Sequence, residues 1–544
     1  MKQPLTEIVQ FLSGSPIFIN LDRHTSCSRF INNMFGTIFS AGYHGLDATL
    51  IKVEVDVSPG LPGWQMVGLP EKTVQEAKER VGTALRNSGI HLEARKITIN
   101  LAPTNHKKSG NQYDLPIAMG LLMAHQVLEN ASLSDFLFAG ELSLTGELKP
   151  INGSLLFAML AKQRGIRFLV LPQANAKEAS LISDIKIVGC SSITEVIAFI
   201  NSGQLPIRAS QSQPQPSIIS SPASPDLSEV KGQLMAKRAL EIASAGGHHL
   251  LMMGPPGSGK TMLATRLPSI LPPLTPDQSM ETTKIYSALG LLTPEHPLIT
   301  LPPIRTPHHS TSTAGLIGGG NGFLGPGEIT LAHNGVLFLD ELPEFHRDAL
   351  QMLRQPVESG SILISRTKGR FKFPARFQLV AAMNPCRCGY LGHPKRTCVC
   401  APAHVFQYRR KISGPLLDRI DLHVEVSPLT EQDLFENIPV ETSAQILARV
   451  LKARELQKSR YDEIKISCNA QLHPKHLGRF CVLTDEAQKF FRKAFPSLNL
   501  SARAHDRILK VARTIADLAG SEKIATDPIA EAMQYRCLDR EGYL

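Results

Sequence analysis

The densest chemical signal in the chain is the run Gly254-Pro255-Pro256-Gly257-Ser258-Gly259-Lys260-Thr261. It follows the apolar stretch 250–253, which reads as a strand, and leads into 262–267, which reads as a helix. A strand, a glycine-rich turn and a helix start aim several backbone N–H groups and the positive end of a helix dipole at one point. That arrangement suits a polyphosphate. There Lys260 is expected to reach the outer phosphates of ATP and the Thr261 hydroxyl to ligate Mg²⁺. Downstream, the apolar run 336–339 ends in Asp340 and Glu341. A buried parallel strand looks like this, and its C-terminal tip is where doubly wound folds hold ligands. Asp340 is expected to hold the Mg²⁺ and Glu341 to act as general base on the attacking water. A further apolar strand, 377–383, ends at Asn384, an amide suited to orienting that water.

Two arginines complete the set. Arg419, in Gly414-Pro-Leu-Leu-Asp418-Arg419-Ile-Asp421, has two readings: a finger projecting into a neighbouring subunit's ATP, or a surface ion pair with Asp418 or Asp421. Arg503 lies in the first turn of a helix with an apolar face of Ile508, Leu509, Val511, Ala512, Ile515 and Leu518, capped by Ser501. A cation there opposes the helix dipole; an anionic phosphate would relieve the conflict, and the alternative is an exposed arginine tolerated at slight cost.

In this order the motifs resemble an AAA+ ATPase, and within that group the magnesium-chelatase-like ComM/YifB family. Arg305-Thr-Pro-His-His-Ser310, Gly325–Gly335 and Leu353-Arg-Gln-Pro-Val-Glu358 carry the resemblance further, which runs from about Met34 to the C-terminus. It implies a ring, usually a hexamer, with ATP between subunits, Asn384 as sensor 1 and Arg503 as sensor 2. It also implies a DNA motor, a helicase or translocase driving branch migration in natural transformation, with recombination proteins as possible further partners.

Composition agrees with a soluble multidomain protein: 544 residues, 42% hydrophobic and 19% charged. No apolar stretch is long enough to span a membrane, and the N-terminus lacks the basic patch and apolar core of a signal peptide, so a cytoplasmic protein is expected. The net charge is +10, and it is unevenly spread. From Ser359 to Leu417 there is no Asp or Glu, while Lys and Arg occur eleven times. Such a run is a solvated basic face or, in a ring ATPase, a contact with a polyanion.

The expected fold class is α/β in three parts. Residues 1–33 have no counterpart in the family pattern, and a start at Met34 is an open alternative. Residues 34–202 alternate strand-like and helix-like segments, and 138–175 resemble the proteolytic (S5-type) domain of Lon. A Lon-type peptidase needs a serine–lysine dyad. At the matching places this chain reads Gly110-Asn-Gln-Tyr-Asp114 and Ser154-Leu155-Leu-Phe157, so a Lon-like fold without peptidase activity is expected. Residues 203–225, rich in Ser, Pro and Gln, read as a linker. The AAA+ core spans 226–428, opening with Asp226–Gln233, which in the family packs near the adenine. A helical lid spans 429–544.

Two excursions interrupt the core. The glycine-rich 315–326 matches the helix-2 insert of the chelatase branch, and 362–373 reads as a pre-sensor hairpin turning at Lys368-Gly369. If the hairpin faces the ring's pore, Lys368 and Arg370 contact a DNA backbone; on the outer rim they are only solvated charge.

Four of the nine cysteines, Cys386, Cys388, Cys398 and Cys400, form two Cys-x-Cys pairs that can supply four thiolates to a structural Zn²⁺, with His393 as a spare ligand. The alternative is a set of reduced loop thiols. For function as a whole, the second reading is a chelatase-type motor remodelling a protein partner; the family's chelatase subunits normally lack the Lon-like domain.

Overall fold

The computed structural model describes residues 34–104, 107–128, 133–204, 225–319, 325–366, 369–429, 440–497, 501–536 and 538. The extension 1–33, linker residues 205–224, the tip 320–324 of the glycine-rich excursion and Lys368 lie outside them.

The N-terminal part contains β1 (Met34–His44), β2 (Asp47–Ser58), β3 (Gly63–Val67), β4 (Lys96–Ala102), β5 (Phe136–Phe138), β6 (Glu141–Leu142), β7 (Leu148–Lys149), β8 (Phe168–Pro172) and β9 (Lys186–Cys190). Seven of them form one sheet in the order β3-β4-β2-β1-β5-β8-β9, and β6 pairs with β7. Alternation makes β2 a half-buried strand. Ile51, Val53, Val55 and Val57 point into the core while Lys52 and Asp56 face out. The helix Asp114–Ala124 covers this face and is buried almost all round.

The ATPase part adds β10 (Leu250–Met253), β11 (Ile304–Arg305), β12 (Val336–Leu339), β13 (Ser361–Arg366), β14 (Gly369–Pro374), β15 (Gln378–Met383) and β16 (Leu422–Glu425). Five of these make a wholly parallel sheet in the order β11-β12-β15-β10-β16. β10, β12 and β15 are buried along their whole length, which is why they read as unbroken apolar runs. β12, β15 and β10 are neighbours, with Leu339 beside Ala381 and Met253 beside Met383. The three segments that follow them are therefore delivered side by side.

β13 and β14 form the expected hairpin, with a corrected turn. Gly369 pairs with Arg366 and so belongs to the strand, not the turn. The base of the glycine-rich excursion lies alongside. Gly318 bridges Pro326, and a Cβ on Gly318 would sit 3.1 Å from Ile364 of the hairpin. Beyond residue 440 the chain is helical. Ser443–Arg460 and Ala502–Leu518 pack on Leu234–Gly246 in the same apolar cluster as β10. Arg536 then returns to bridge His423 of β16.

The two parts meet at the end of the helix Pro276–Ala288. The Tyr43 hydroxyl donates to the Ala288 carbonyl at 3.0 Å, and the Gly153 N–H to the Ser287 carbonyl at 2.8 Å. Buried Glu178 accepts from the Leu155 N–H at 3.0 Å and from the Ser287 hydroxyl. This contact covers the start of the helix Ser154–Arg164, the place where a Lon-type peptidase has lysines. Ser154 is fully buried there, and Asp114 at the other matching position is buried and ion-paired with Arg80 at 2.7 Å.

Candidate nucleotide site

The phosphate loop leaves β10 through a tight passage. A Cβ on Gly254 would lie 2.2 Å from the Val426 carbonyl oxygen, so only glycine fits. Gly259, at φ +90°, supplies the left-handed turn that starts the helix Lys260–Arg266. Lys260 is buried, and its ammonium donates to the carbonyls of Gly254 (2.8 Å) and Pro255 (2.9 Å) and to Asn384 Oδ1 (3.3 Å). Burial pulls its pKa below the usual lysine value, opposed by the nearby Asp340 carboxylate. The ring of Pro256 packs against Gly389, while Gly257 and Ser258 complete the loop.

Thr261 Oγ1 donates to Asp340 Oδ2 at 2.6 Å. Two hard oxygens this close suit adjacent positions around an octahedral Mg²⁺, whose ligands at about 2.1 Å stand roughly 3 Å apart. Glu341 follows in the left-handed conformation, φ 51°, its N–H bound to Asp340 Oδ1 at 2.8 Å. Lys260, Thr261, Asp340 and Asn384 are thus one connected constellation at three neighbouring strand tips.

Two further residues belong to the site and were not singled out from the sequence. His309 Nδ1 lies 3.3 Å from Glu341 Oε2. Gln233 donates to the carbonyls of Ser258 (3.1 Å) and Ser427 (2.6 Å), tying the phosphate loop to the segment after β16. Both lie in segments that carry the family resemblance, His309 in Arg305–Ser310 and Gln233 at the end of Asp226–Gln233, but no spacing gave either residue a role of its own.

Arg419 and Arg503 stand apart from this constellation. Arg419 precedes β16, at the opposite end of the parallel sheet from the phosphate loop. Its guanidinium bonds Glu358 at 3.0 Å, not Asp418 or Asp421 as the ion-pair reading expected. Asp421 is instead held by Arg507, whose charge helps keep that buried carboxyl well below the usual range against the cost of desolvation. Ser501 caps the helix Ala502–Leu518, and Arg503 lies 3.8 Å from Asp418. The two arginines therefore share one edge of the molecule.

Arg370 is exposed on β14. The four cysteine sulfurs converge within 4.8 Å of one another. His393 does not join them: its Nδ1 accepts the N–H groups of Lys395 and Arg396 at 3.0 and 3.1 Å, capping a turn. Among the described residues, no helix is long and apolar enough to cross a membrane.

Comparison with known proteins agrees with this architecture. Three family models match: magnesium chelatase subunit ChlI over residues 226–434, subunit ChlI of Mg-chelatase over 53–175, and the ChlI C-terminal model over 440–536. Because a chelatase model also covers 53–175, the N-terminal domain does not by itself exclude a chelatase reading. Coverage separates the relatives more sharply. The chain is 46% identical over 507 residues to "Competence protein ComM" of Haemophilus influenzae, covering 92% of this chain and 97% of that one. It is 44% identical over 500 residues to "Uncharacterized protein YifB" of Escherichia coli, covering 91% and 96%. To "Magnesium-chelatase subunit ChlI" of Euglena gracilis it is 22% identical over 247 residues, covering only 39% of this chain and 65% of that one. With its parallel five-stranded sheet, its phosphate loop and this end-to-end similarity, the chain belongs to the ComM/YifB family of magnesium-chelatase-like AAA+ ATPases.

Proposed function

We propose that this chain is an ATP-driven, ring-forming DNA motor, a helicase or translocase that promotes branch migration during natural transformation. The observation that carries the reading is the acid-free tract from Ser359 to Leu417. Its cations Arg370, Lys372, Arg376, Arg387, Lys395 and Arg396 are all exposed. ATP hydrolysis has no use for such a field, whereas a phosphate backbone does. The similarity to a competence protein over nearly the whole chain supports the same reading.

In this scheme the loop 254–261 and Lys260 bind the phosphates, and Thr261 and Asp340 hold Mg²⁺, which supplies charge neutralisation at the phosphates. Glu341 takes a proton from the attacking water, and Asn384 orients that water. Arg419 serves the ATP of a neighbouring copy, since β16 separates it from its own phosphate loop by a strand about 13 Å long. Arg503, 3.8 Å from Asp418 on the same edge, acts as sensor 2. Lys368 and Arg370 grip the DNA backbone without reading its sequence.

The test uses purified full chain, ATP–Mg²⁺ and a labelled three-stranded DNA junction at moderate salt. Resolution by the wild type and none by Glu341→Gln is expected. If the wild type hydrolyses ATP but leaves the junction intact and is indifferent to DNA, the motor acts on something else. A chelatase-type motor on a protein partner is then the reading, favoured by the chelatase models that match three parts of the chain.

A further inference from the structure

From Asn384 to Ala401 the chain forms no helix or strand, and most of residues 391–401 are exposed. A loop of this length with little core of its own pays its ordering entropy without apolar compensation. Its buried anchor is Cys386, fully inaccessible to solvent. The sulfur of Cys386 lies 3.4 Å from that of Cys388 and 3.7 Å from that of Cys398, and Cys388 lies 3.6 Å from Cys398. Cys400 completes a set in which every ligand atom is within 4.8 Å of every other. These are not disulfide distances, which are about 2.05 Å. They match the edge of a tetrahedron around one ion, since metal–sulfur bonds of about 2.3 Å space the sulfurs by roughly 3.8 Å. An all-sulfur tetrahedral donor set selects zinc over the hard cations.

Charge points the same way. Four thiolates and one Zn²⁺ carry a net negative charge, and the surrounding tract has no acid to repel it. Arg387 lies between the first pair, and Lys395 and Arg396 lie between the two pairs. The Cys400 N–H donates to the Cys398 sulfur at 3.4 Å, the backbone-to-sulfur bond that steadies a coordinating thiolate.

This loop is also part of the nucleotide site. It begins at Asn384, which touches Lys260, and the Pro385 carbonyl is fixed by Arg409 at 3.0 Å. Gly389, between the cysteine pairs, sits so close to Pro256 of the phosphate loop that a Cβ there would lie 2.5 Å from the proline ring. Whatever closes the loop therefore also sets Pro256 and Asn384.

We propose that Cys386, Cys388, Cys398 and Cys400 bind one structural Zn²⁺ per chain, and that this ion locks the loop against the phosphate loop, so that nucleotide binding depends on the metal. The coupling rests on the nucleotide site argued above; the metal site does not. The test takes full chain purified without chelator and measures metal by mass spectrometry, sulfur coordination by X-ray absorption, and affinity for a fluorescent ATP analogue. The expected result is stoichiometric zinc with four sulfur neighbours. Stripping with phenanthroline should weaken nucleotide binding roughly tenfold or more, because a loop left unordered must be ordered as the nucleotide binds. Adding Zn²⁺ back should restore it. Cys398→Ser with Cys400→Ser should lose the metal, while Cys468→Ser should keep it. A wild-type chain without zinc, or with iron in its place, overturns the metal assignment. Stoichiometric zinc whose removal leaves nucleotide affinity unchanged overturns the coupling. Failure of the zinc-loaded chain to bind nucleotide at all overturns the nucleotide reading and leaves the metal site standing.

Discussion

Glu341 is more than half exposed, and its position owes more to what holds it than to burial. The left-handed backbone at Glu341 turns the side chain out of β12, and His309 meets its carboxylate at 3.3 Å. A base that must reach a water beside the γ-phosphate loses efficiency when it is free to swing. His309→Ala is therefore expected to lower the rate of ATP hydrolysis roughly tenfold with ATP affinity unchanged, and His309→Gln to recover part of the loss. Equal turnover in wild type and His309→Ala would remove His309 from the site. The contrast with Lys260 shows what a sequence reveals at this scale. The phosphate loop is built from consecutive residues, so its chemistry is visible in eight letters. Arg419 with Glu358 and Gln233 with Ser427 join residues 61 and 194 positions apart, and no local spacing announces such pairs.

At the scale of elements, the three central strands of the five-stranded sheet were legible because burial on both faces demands apolar runs, as in Val336–Leu339 and Gln378–Met383. The edge strands β11, two half-buried residues, and β16, which ends in exposed Glu425, carried no such run. The hairpin was legible too, but its register was not: the position of the turn depends on pairing, and Arg366 pairs with Gly369. The exposed Arg370 on β14 remains available to a polyanion. Arg370→Ala is expected to weaken DNA binding to a similar degree for every sequence and to reduce the slope of log affinity against log salt by about one unit. An unchanged slope would move the contact elsewhere in the basic tract. The join between the two parts was invisible in the sequence, since Glu178 and Ser287 are 109 positions apart. Glu178→Ala strands the buried Leu155 N–H, and the expected cost is about 1–3 kcal/mol in equilibrium unfolding. A variant as stable as the wild type would mean that Glu178 contributes nothing there, leaving the join to the Tyr43–Ala288 and Gly153–Ser287 bonds.

On the scale of the whole molecule, the motor proposed above divides a catalytic site between opposite ends of one sheet, so that a single chain carries both halves without joining them. The phosphate loop leaves the C-terminal end of β10, and Arg419 enters the N-terminal end of its parallel neighbour β16, with Arg503 close by across Asp418. Within one copy Arg419 is spent on Glu358, an exposed carboxylate whose pKa is lowered chiefly by that bond. In a closed head-to-tail ring, every copy would present its arginine edge to the next copy's phosphate loop, and the halves would complete each other. Lys260→Ala and Arg419→Ala are each expected to abolish most ATP hydrolysis, the arginine alone accounting for a loss on the order of a thousandfold. Mixed in equal amounts and allowed to reassemble, the two inactive proteins should recover activity. An Arg419→Ala copy still offers an intact phosphate loop, and a Lys260→Ala copy beside it still offers an intact arginine. Random assortment makes about a quarter of the interfaces complete, which sets the ceiling on recovery. Were Arg419 to act on the ATP of its own chain, no mixture could contain a complete site, and the activity would stay at the level of the separate variants.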